Sequence, residues 1–145
     1  MFSKKYRLSS WATAGIPLVA AGVYAIWHDE KLIYCGMSGR QIEKNLHKSK
    51  FGLITRIKSH ASGRLSGDQF CVYVANRLVI PNLKQSDLPR FATGEIKLDT
   101  LTKEYISKNL EFQYIVVESS EEAYRLESKA RSGVTFGQSP LLNPL

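Results

Sequence analysis

Two short apolar runs separated by four polar residues constrain this chain more than any other feature. Residues 22–27 read GVYAIW and residues 32–36 read LIYCG, with His28, Asp29, Glu30 and Lys31 between them. β-Branched and aromatic residues suit a pleated surface, and two such runs around a brief polar break predict a β-hairpin. The GMSG segment at 36–39 ends it. Each arm carries a tyrosine, Tyr24 or Tyr34. A three-residue loop of His28, Asp29 and Glu30, closed by Trp27 and Lys31, would set Tyr24 directly opposite Tyr34 with both rings on one face. A two-residue loop would send the rings to opposite faces, because side chains alternate along a strand.

Residues 1–21 read as an arm, extended around Pro17. Leu53, Ile54 and Ile57 fall at helical spacing within 51–61, and the glycines and serines of 61–67 predict a loop. The Val and Tyr content of 70–80 suits a strand. However, Cys71, Val74, Ala75 and Leu78 follow the i, i+3, i+4, i+7 pattern, Asp68 is a fitting cap, and Pro81 is a stop, so a helix is predicted. Residues 82–97 read as a loop with one short turn, and 98–110 as an amphipathic helix through Leu98, Leu101, Tyr105 and Ile106. A third strand is predicted at 112–117. Ser119 followed three residues later by Glu122 is a capping-box signature for a helix reaching about Arg131. The expected fold is α+β: a small, three-stranded, mainly antiparallel sheet flanked by helices, in a single domain over 1–145.

Several polar residues stand out on these elements. Arg56 and His60 are four apart, so one helix face presents both. A guanidinium is a fixed fork of donors suited to a phosphoryl group. A solvated helix face is the plainer account of the pair. Glu127 is the most informative position. Ala123, Leu126 and Ala130 form the apolar stripe of the 119–131 helix, and Glu127 completes it. A carboxylate facing inward is unfavourable unless it is paired, protonated or bound to a cation. An ion pair with Arg56 would satisfy it; a Mg²⁺ or Mn²⁺ ion satisfies it better, since hard cations prefer oxygen donors. No second acid is similarly placed, which argues against a two-metal site. Asn143, between Leu142 and Pro144, is also compatible with ordinary turn chemistry.

The triplets Gly22-Val23-Tyr24 and Tyr34-Cys35-Gly36 resemble the paired signature of GIY-YIG nucleases. The resemblance continues in order through Arg56 and His60, Glu127 and Asn143, and so spans about 20–145. The segment SGDQFCVYVANRLVIPNL is similar to one branch of that family, and the Ala-Gly-Val-Tyr-Ala context resembles its restriction endonucleases. The resemblance implies a DNA endonuclease with one divalent metal, Mg²⁺ or Mn²⁺, held by Glu127. It implies catalytic roles for Tyr24, Tyr34, Arg56, His60, Glu127 and Asn143, with Tyr24 as general base, and 5′-phosphate and 3′-hydroxyl ends. As general base, Tyr24 needs a phenol pKa well below the usual ~10. About seventy residues separate Arg56 from Glu127, longer than the minimal family module, so residues 62–110 read as a helical insertion that enlarges the core. Lys31, Ser38, Arg40 and Arg64 are candidate contacts to the DNA backbone.

Lys and Arg number 20 against 13 Asp and Glu, a net charge of +7 that favours a polyanionic partner. These cations are spread from Lys4 to Arg131, so no basic tail explains the surplus. The two cysteines, Cys35 and Cys71, lie in apolar runs without His or Cys at ligand spacing, which predicts buried thiols rather than a disulfide or a zinc site. Lys4, Lys5 and Arg7 before an apolar stretch imitate a signal peptide, but Gly15, Pro17 and Gly22 interrupt it. No run approaches ~18 uninterrupted apolar residues, so no membrane span is expected. The expectation is a cytoplasmic enzyme acting on DNA, with a homodimer as one route to cutting both strands. A non-catalytic DNA-binding module and a secreted nuclease toxin are the alternatives.

Overall fold

The computed structural model describes residues 1–39 and 52–144. One antiparallel sheet contains β1 (Tyr6–Arg7), β2 (Ala21–His28), β3 (Lys31–Ser38) and β4 (Glu111–Val117), in the spatial order β1-β4-β2-β3. The sheet therefore has four strands where three were expected. The extra strand is drawn from the N-terminal arm, where Tyr6 pairs with Phe112 and Arg7 with Glu111. Two residues are too few to show alternation. Arg7 also donates to the carbonyls of Ser107 and Lys108, at 2.6 and 2.8 Å, and so satisfies orphan acceptors at the end of the helix before β4. Central strand β2 is buried along almost its whole length, which is why its sequence is nearly all apolar rather than alternating.

The hairpin register differs from the one expected. His28 pairs with Lys31, so the loop has two residues, and Asp29 takes the left-handed turn at φ 53°. Tyr24 faces Gly36 rather than Tyr34, and Tyr34 faces Ile26. A two-residue loop alone would put the two tyrosines on opposite faces. The register shift after Ile26, where Trp27 pairs with Leu32, leaves Ile33 as the extra residue of a β-bulge. That one residue restores the parity, and both phenols share a face.

Helix α1 spans Leu53–Ala61 and α2 spans Gln69–Val74. Asp68 caps α2 by accepting from the Cys71 N–H. The chain continues from α2 through a π turn at Ala75–Val79 and ends in a 3₁₀ turn at Ile80–Asn82, where Pro81 stops it. Residues 82–97, read as loop, hold a 3₁₀ turn at Gln85–Asp87 and the short helix α3 (Leu88–Ala92). Helix α4 spans Leu98–Asn109. Helix α5 spans Ser120–Arg131, opened by Ser119 accepting from the Glu122 N–H.

Helices cover both faces of the sheet. On one, Tyr24, Ile26 and Phe112 pack with Leu53 and Ile57 of α1, Phe70 and Val74 of α2, and Ile106 of α4. On the other, Val23 packs with Ala123, and Ala25 and Cys35 with Ala130, all beneath α5. Edge strand β3 is closed by the C-terminal segment: Leu141 and Leu142 donate their N–H groups to the carbonyls of Leu32 and Ile33, at 3.2 and 2.9 Å. That covers the row of orphan groups an edge strand presents. Among the described residues, no helix is long and apolar enough to cross a membrane.

Candidate active site

The sheet and both helical layers meet at a cavity of about 330 Å³. Its wall includes Tyr24, Tyr34, Arg56, His60, Glu127 and Asn143, the six residues singled out from sequence as catalytic. The hairpin supplies the tyrosines, whose ring centroids are 6.4 Å apart. Helix α1 supplies Arg56 and His60, and α5 supplies Glu127 from the opposite face of the sheet. Phe70 and Tyr73 of α2 add an aromatic side wall.

The Tyr24 hydroxyl lies 2.7 Å from His60 Nε2, and His60 Nδ1 lies 2.8 Å from Asp68 Oδ2. Asp68 Oδ2 also accepts from Ser59 Oγ at 2.6 Å, while Oδ1 accepts from the Cys71 N–H at 3.0 Å. Read from sequence, Asp68 is a helix cap and nothing more. The cap accounts for one of its oxygens, and the other belongs to the candidate site. No local pattern reveals that second role, because it depends on α1 and the 61–68 loop folding back together.

Burial governs the ionisation of this chain of groups. It pushes the Tyr24 phenol well above its usual range, with Tyr34, Asp68 and Glu127 adding to the rise and only Arg56 opposing it. Positive charge from Arg56 does act to lower this phenol, but burial outweighs a single guanidinium. Burial likewise raises Tyr34, with smaller contributions from Tyr73, Asp68 and Glu127 and with Arg56 opposing. His60 is pulled below its ordinary value by burial, which outweighs the hydrogen bond and charge of Asp68. Burial also acts to raise Asp68, but the bonds from His60, Ser59 and Cys71 together hold it down at about 2. The pair is therefore a neutral imidazole donating to an ionised carboxylate.

Glu127 is buried, and its partner is Arg131, not Arg56: Arg131 Nη1 lies 3.4 Å from Glu127 Oε1. Arg131 Nη2 donates to the Pro144 carbonyl at 2.7 Å, so the same guanidinium tethers the C-terminal segment. Burial raises the Glu127 carboxyl despite Arg131. Asn143 lines the cavity, but its amide is engaged with the backbone. Its Oδ1 accepts from the Cys35 N–H and its Nδ2 donates to the Cys35 carbonyl, both at 2.8 Å. It clamps β3 from the cavity wall.

Of the candidate contacts to a DNA backbone, those among the described residues do not line this cavity. Ser38 is buried, and its hydroxyl donates to the Gly52 carbonyl at 2.8 Å, tying the end of β3 to the start of α1. Lys31 is exposed at the hairpin turn and Arg64 is exposed beyond α1; neither lines the cavity. Arg40 lies outside the described residues. Burial pushes the Cys35 thiol up to about 12 and raises Cys71 as well, and neither is in a disulfide, as expected.

No family model, no curated protein and no solved structure matches this chain.

Proposed function

We propose that this protein is a divalent-metal-dependent endonuclease that hydrolyses DNA phosphodiester bonds at this cavity, as its resemblance to GIY-YIG nucleases implies. One observation carries the reading: Tyr24, Tyr34, Arg56, His60, Glu127 and Asn143, far apart in sequence, line the same cavity. The net charge of +7 supports a polyanionic substrate.

The donor set fits a hard cation. Among the described residues, Glu127 is the one carboxylate in the cavity wall, and no cluster of three or more His, Cys, Asp or Glu side chains could enclose a metal. Mg²⁺ is commonly held by one or two carboxylates, with water and phosphate as its other ligands. Glu127 would hold the ion, and when bound the ion supplies positive charge to the scissile phosphate and to the departing 3′-oxygen.

The chain's own residues account for the rest. Arg56, exposed at the cavity rim, orients the phosphate and balances the extra negative charge of the pentavalent transition state. As water oxygen bonds to phosphorus and the bond to the 3′-oxygen breaks, the water proton passes to Tyr24 Oη while the Tyr24 proton passes to His60 Nε2. The leaving oxygen is protonated from solvent, giving 5′-phosphate and 3′-hydroxyl ends. Tyr24 thus relays the proton without existing as a free phenolate, in keeping with its raised pKa. Tyr34 borders the same space and helps hold the water. A protomer has one such centre, so cutting both strands takes a homodimer or two encounters.

The test is nicking of supercoiled plasmid DNA with Mg²⁺. Glu127→Ala and Tyr24→Phe should each slow cleavage by about 100-fold or more. Parental rates in either variant would refute the assignment. The Glu127–Arg131 ion pair favours a second reading, a DNA-binding module without catalysis, since it satisfies the buried acid without a metal. That module would bind DNA equally well with EDTA or Mg²⁺ and cut none.

A further inference from the structure

We infer that Asp68 is a positioning residue of this site: it takes the His60 Nδ1 proton as a hydrogen bond and so leaves Nε2 free to accept the proton of the Tyr24 hydroxyl. The inference rests on the hydrolytic reading and extends it to a residue outside the motif positions.

An ionised carboxylate only accepts hydrogen bonds, so the His60 nitrogen facing Asp68 must carry the imidazole proton. In a neutral ring the other nitrogen is then the acceptor, and the 2.7 Å contact is Tyr24 donating to His60. The imidazole is wedged among Tyr24, Tyr34 and Phe70, with ring centroids 5.4, 5.9 and 4.6 Å away, so it cannot readily turn over. The His60 and Asp68 side chains are 3% and 1% exposed, so water does not compete for either bond.

A capping role alone does not explain this arrangement. Capping α2 uses Asp68 Oδ1 on the Cys71 N–H. Oδ2 meanwhile takes both Ser59 Oγ and His60 Nδ1, which fixes the carboxylate plane toward the imidazole. An Asp–His pair that orients a third hydroxyl is the same physical device that sets the tautomer in hydrolytic triads.

Asp68→Asn tests the inference, because it keeps the shape and changes the donors. To preserve the cap, Asn must turn its oxygen to the Cys71 N–H, which points its NH₂ at His60 Nδ1. The imidazole proton then moves to Nε2, and Tyr24 loses its acceptor. Two readouts are taken: ¹⁵N NMR of the His60 ring, and single-turnover nicking of plasmid DNA with Mg²⁺. The expected result is an Nδ1–H tautomer in the parent, an Nε2–H tautomer in Asp68→Asn, and cleavage slower by about 10²–10⁴-fold with DNA affinity in Ca²⁺ unchanged. A parent ring protonated on Nε2 overturns the inference without needing any variant to fold. So does an Asp68→Asn protein that cuts as fast as the parent. A parent that cuts no DNA overturns the hydrolytic reading and the catalytic purpose of the relay with it, whereas an active parent with an indifferent Asp68 overturns this inference alone.

Discussion

The Tyr24 phenol lies against the backbone of Gly36, in the space that a β-carbon on Gly36 would occupy. The two residues are register partners across the hairpin. Glycine at this position therefore has a specific purpose: it lets the ring lie flat across β3 toward His60. Gly36→Ala should push the ring aside and break the contact to Nε2. The overpacking should lower stability by about 1–3 kcal/mol, and cleavage should fall by about 100-fold as the proton acceptor is lost. Thermal melts and nicking rates check both. Unaltered cleavage would mean that the contact between Tyr24 and His60 is not used.

Arg131 holds Glu127 at 3.4 Å and competes with any cation for that carboxylate. Removing a cationic neighbour should tighten cation binding. Because the Arg131 side chain is 38% exposed, its attraction is screened and the effect should be small. Arg131→Met should bind Mn²⁺ about two- to fivefold more tightly, measured by electron paramagnetic resonance at fixed pH. Weaker binding would assign Arg131 to supporting the site instead of guarding it.

Much of this arrangement is legible in the chain, and the rest fails for identifiable reasons. Ser119 and Asp68 announce their helices because capping is local: an acceptor side chain meets an N–H within three residues. Glu127 declares itself by falling on the apolar stripe of α5, and it is indeed buried. The shared face of Tyr24 and Tyr34 was expected on a three-residue loop, but it arises from a two-residue loop and a bulge at Ile33. Nothing in the residue types separates those two routes. Strand β1 escaped because its pairing with β4 joins residues about a hundred positions apart, over only two residues. The contact of Asp68 with His60 escaped because it depends on α1 and the 61–68 loop folding together. Arg131, by contrast, is an i, i+4 neighbour of Glu127 on α5, and that pairing was legible but passed over.

Stability should fall on acidification, and Asp68 should account for the lower part of the loss. Its carboxyl is held at about 2 in the fold, whereas an unfolded Asp titrates near ~3.9. The unfolded chain therefore takes up the proton first as pH drops. The stabilisation from this group is complete above about pH 5 and lost progressively down to about pH 2, a span worth about 2 kcal/mol. His60 acts in the same direction at higher pH: its folded value is depressed, so the unfolded chain is protonated first as pH falls below ~6.5. Urea unfolding at a series of pH values checks this. Asp68→Asn should flatten the curve below about pH 5, and a variant as acid-sensitive as the parent would remove Asp68 as the cause.

Glu127 works against stability at neutral pH, because burial raises its carboxyl in the fold. Glu127→Gln keeps the shape without the charge. It should melt about 1–3 °C higher at pH 7, and the gain should vanish near pH 4, where the native acid already carries its proton. The same variant should lose cleavage, as expected when a site retains an unfavourable group for chemistry. Lower stability at pH 7 would show that the ion pair with Arg131 outweighs burial.

Asn143 closes both backbone groups of Cys35 with one amide, as a neighbouring strand would, and the adjacent Leu141 and Leu142 pair with Leu32 and Ile33. The clamp holds β3 between Tyr34 and Gly36, the stretch that sets the positions of both phenols. Asn143→Ala would leave a Cys35 N–H and carbonyl unpaired on a half-buried edge, at a cost of about 1–3 kcal/mol. Asn143→Asp would keep the acceptor for the N–H but turn a carboxylate oxygen toward the Cys35 carbonyl, near the acidic Glu127, and should be worse. Amide exchange separates local from global effects: Cys35 should lose protection in both variants, while Phe112 in the sheet interior should change only by the drop in overall stability. Unchanged exchange at Cys35 would show that the C-terminal segment does not secure the edge, and would return Asn143 to the cavity as a candidate for direct contact with substrate.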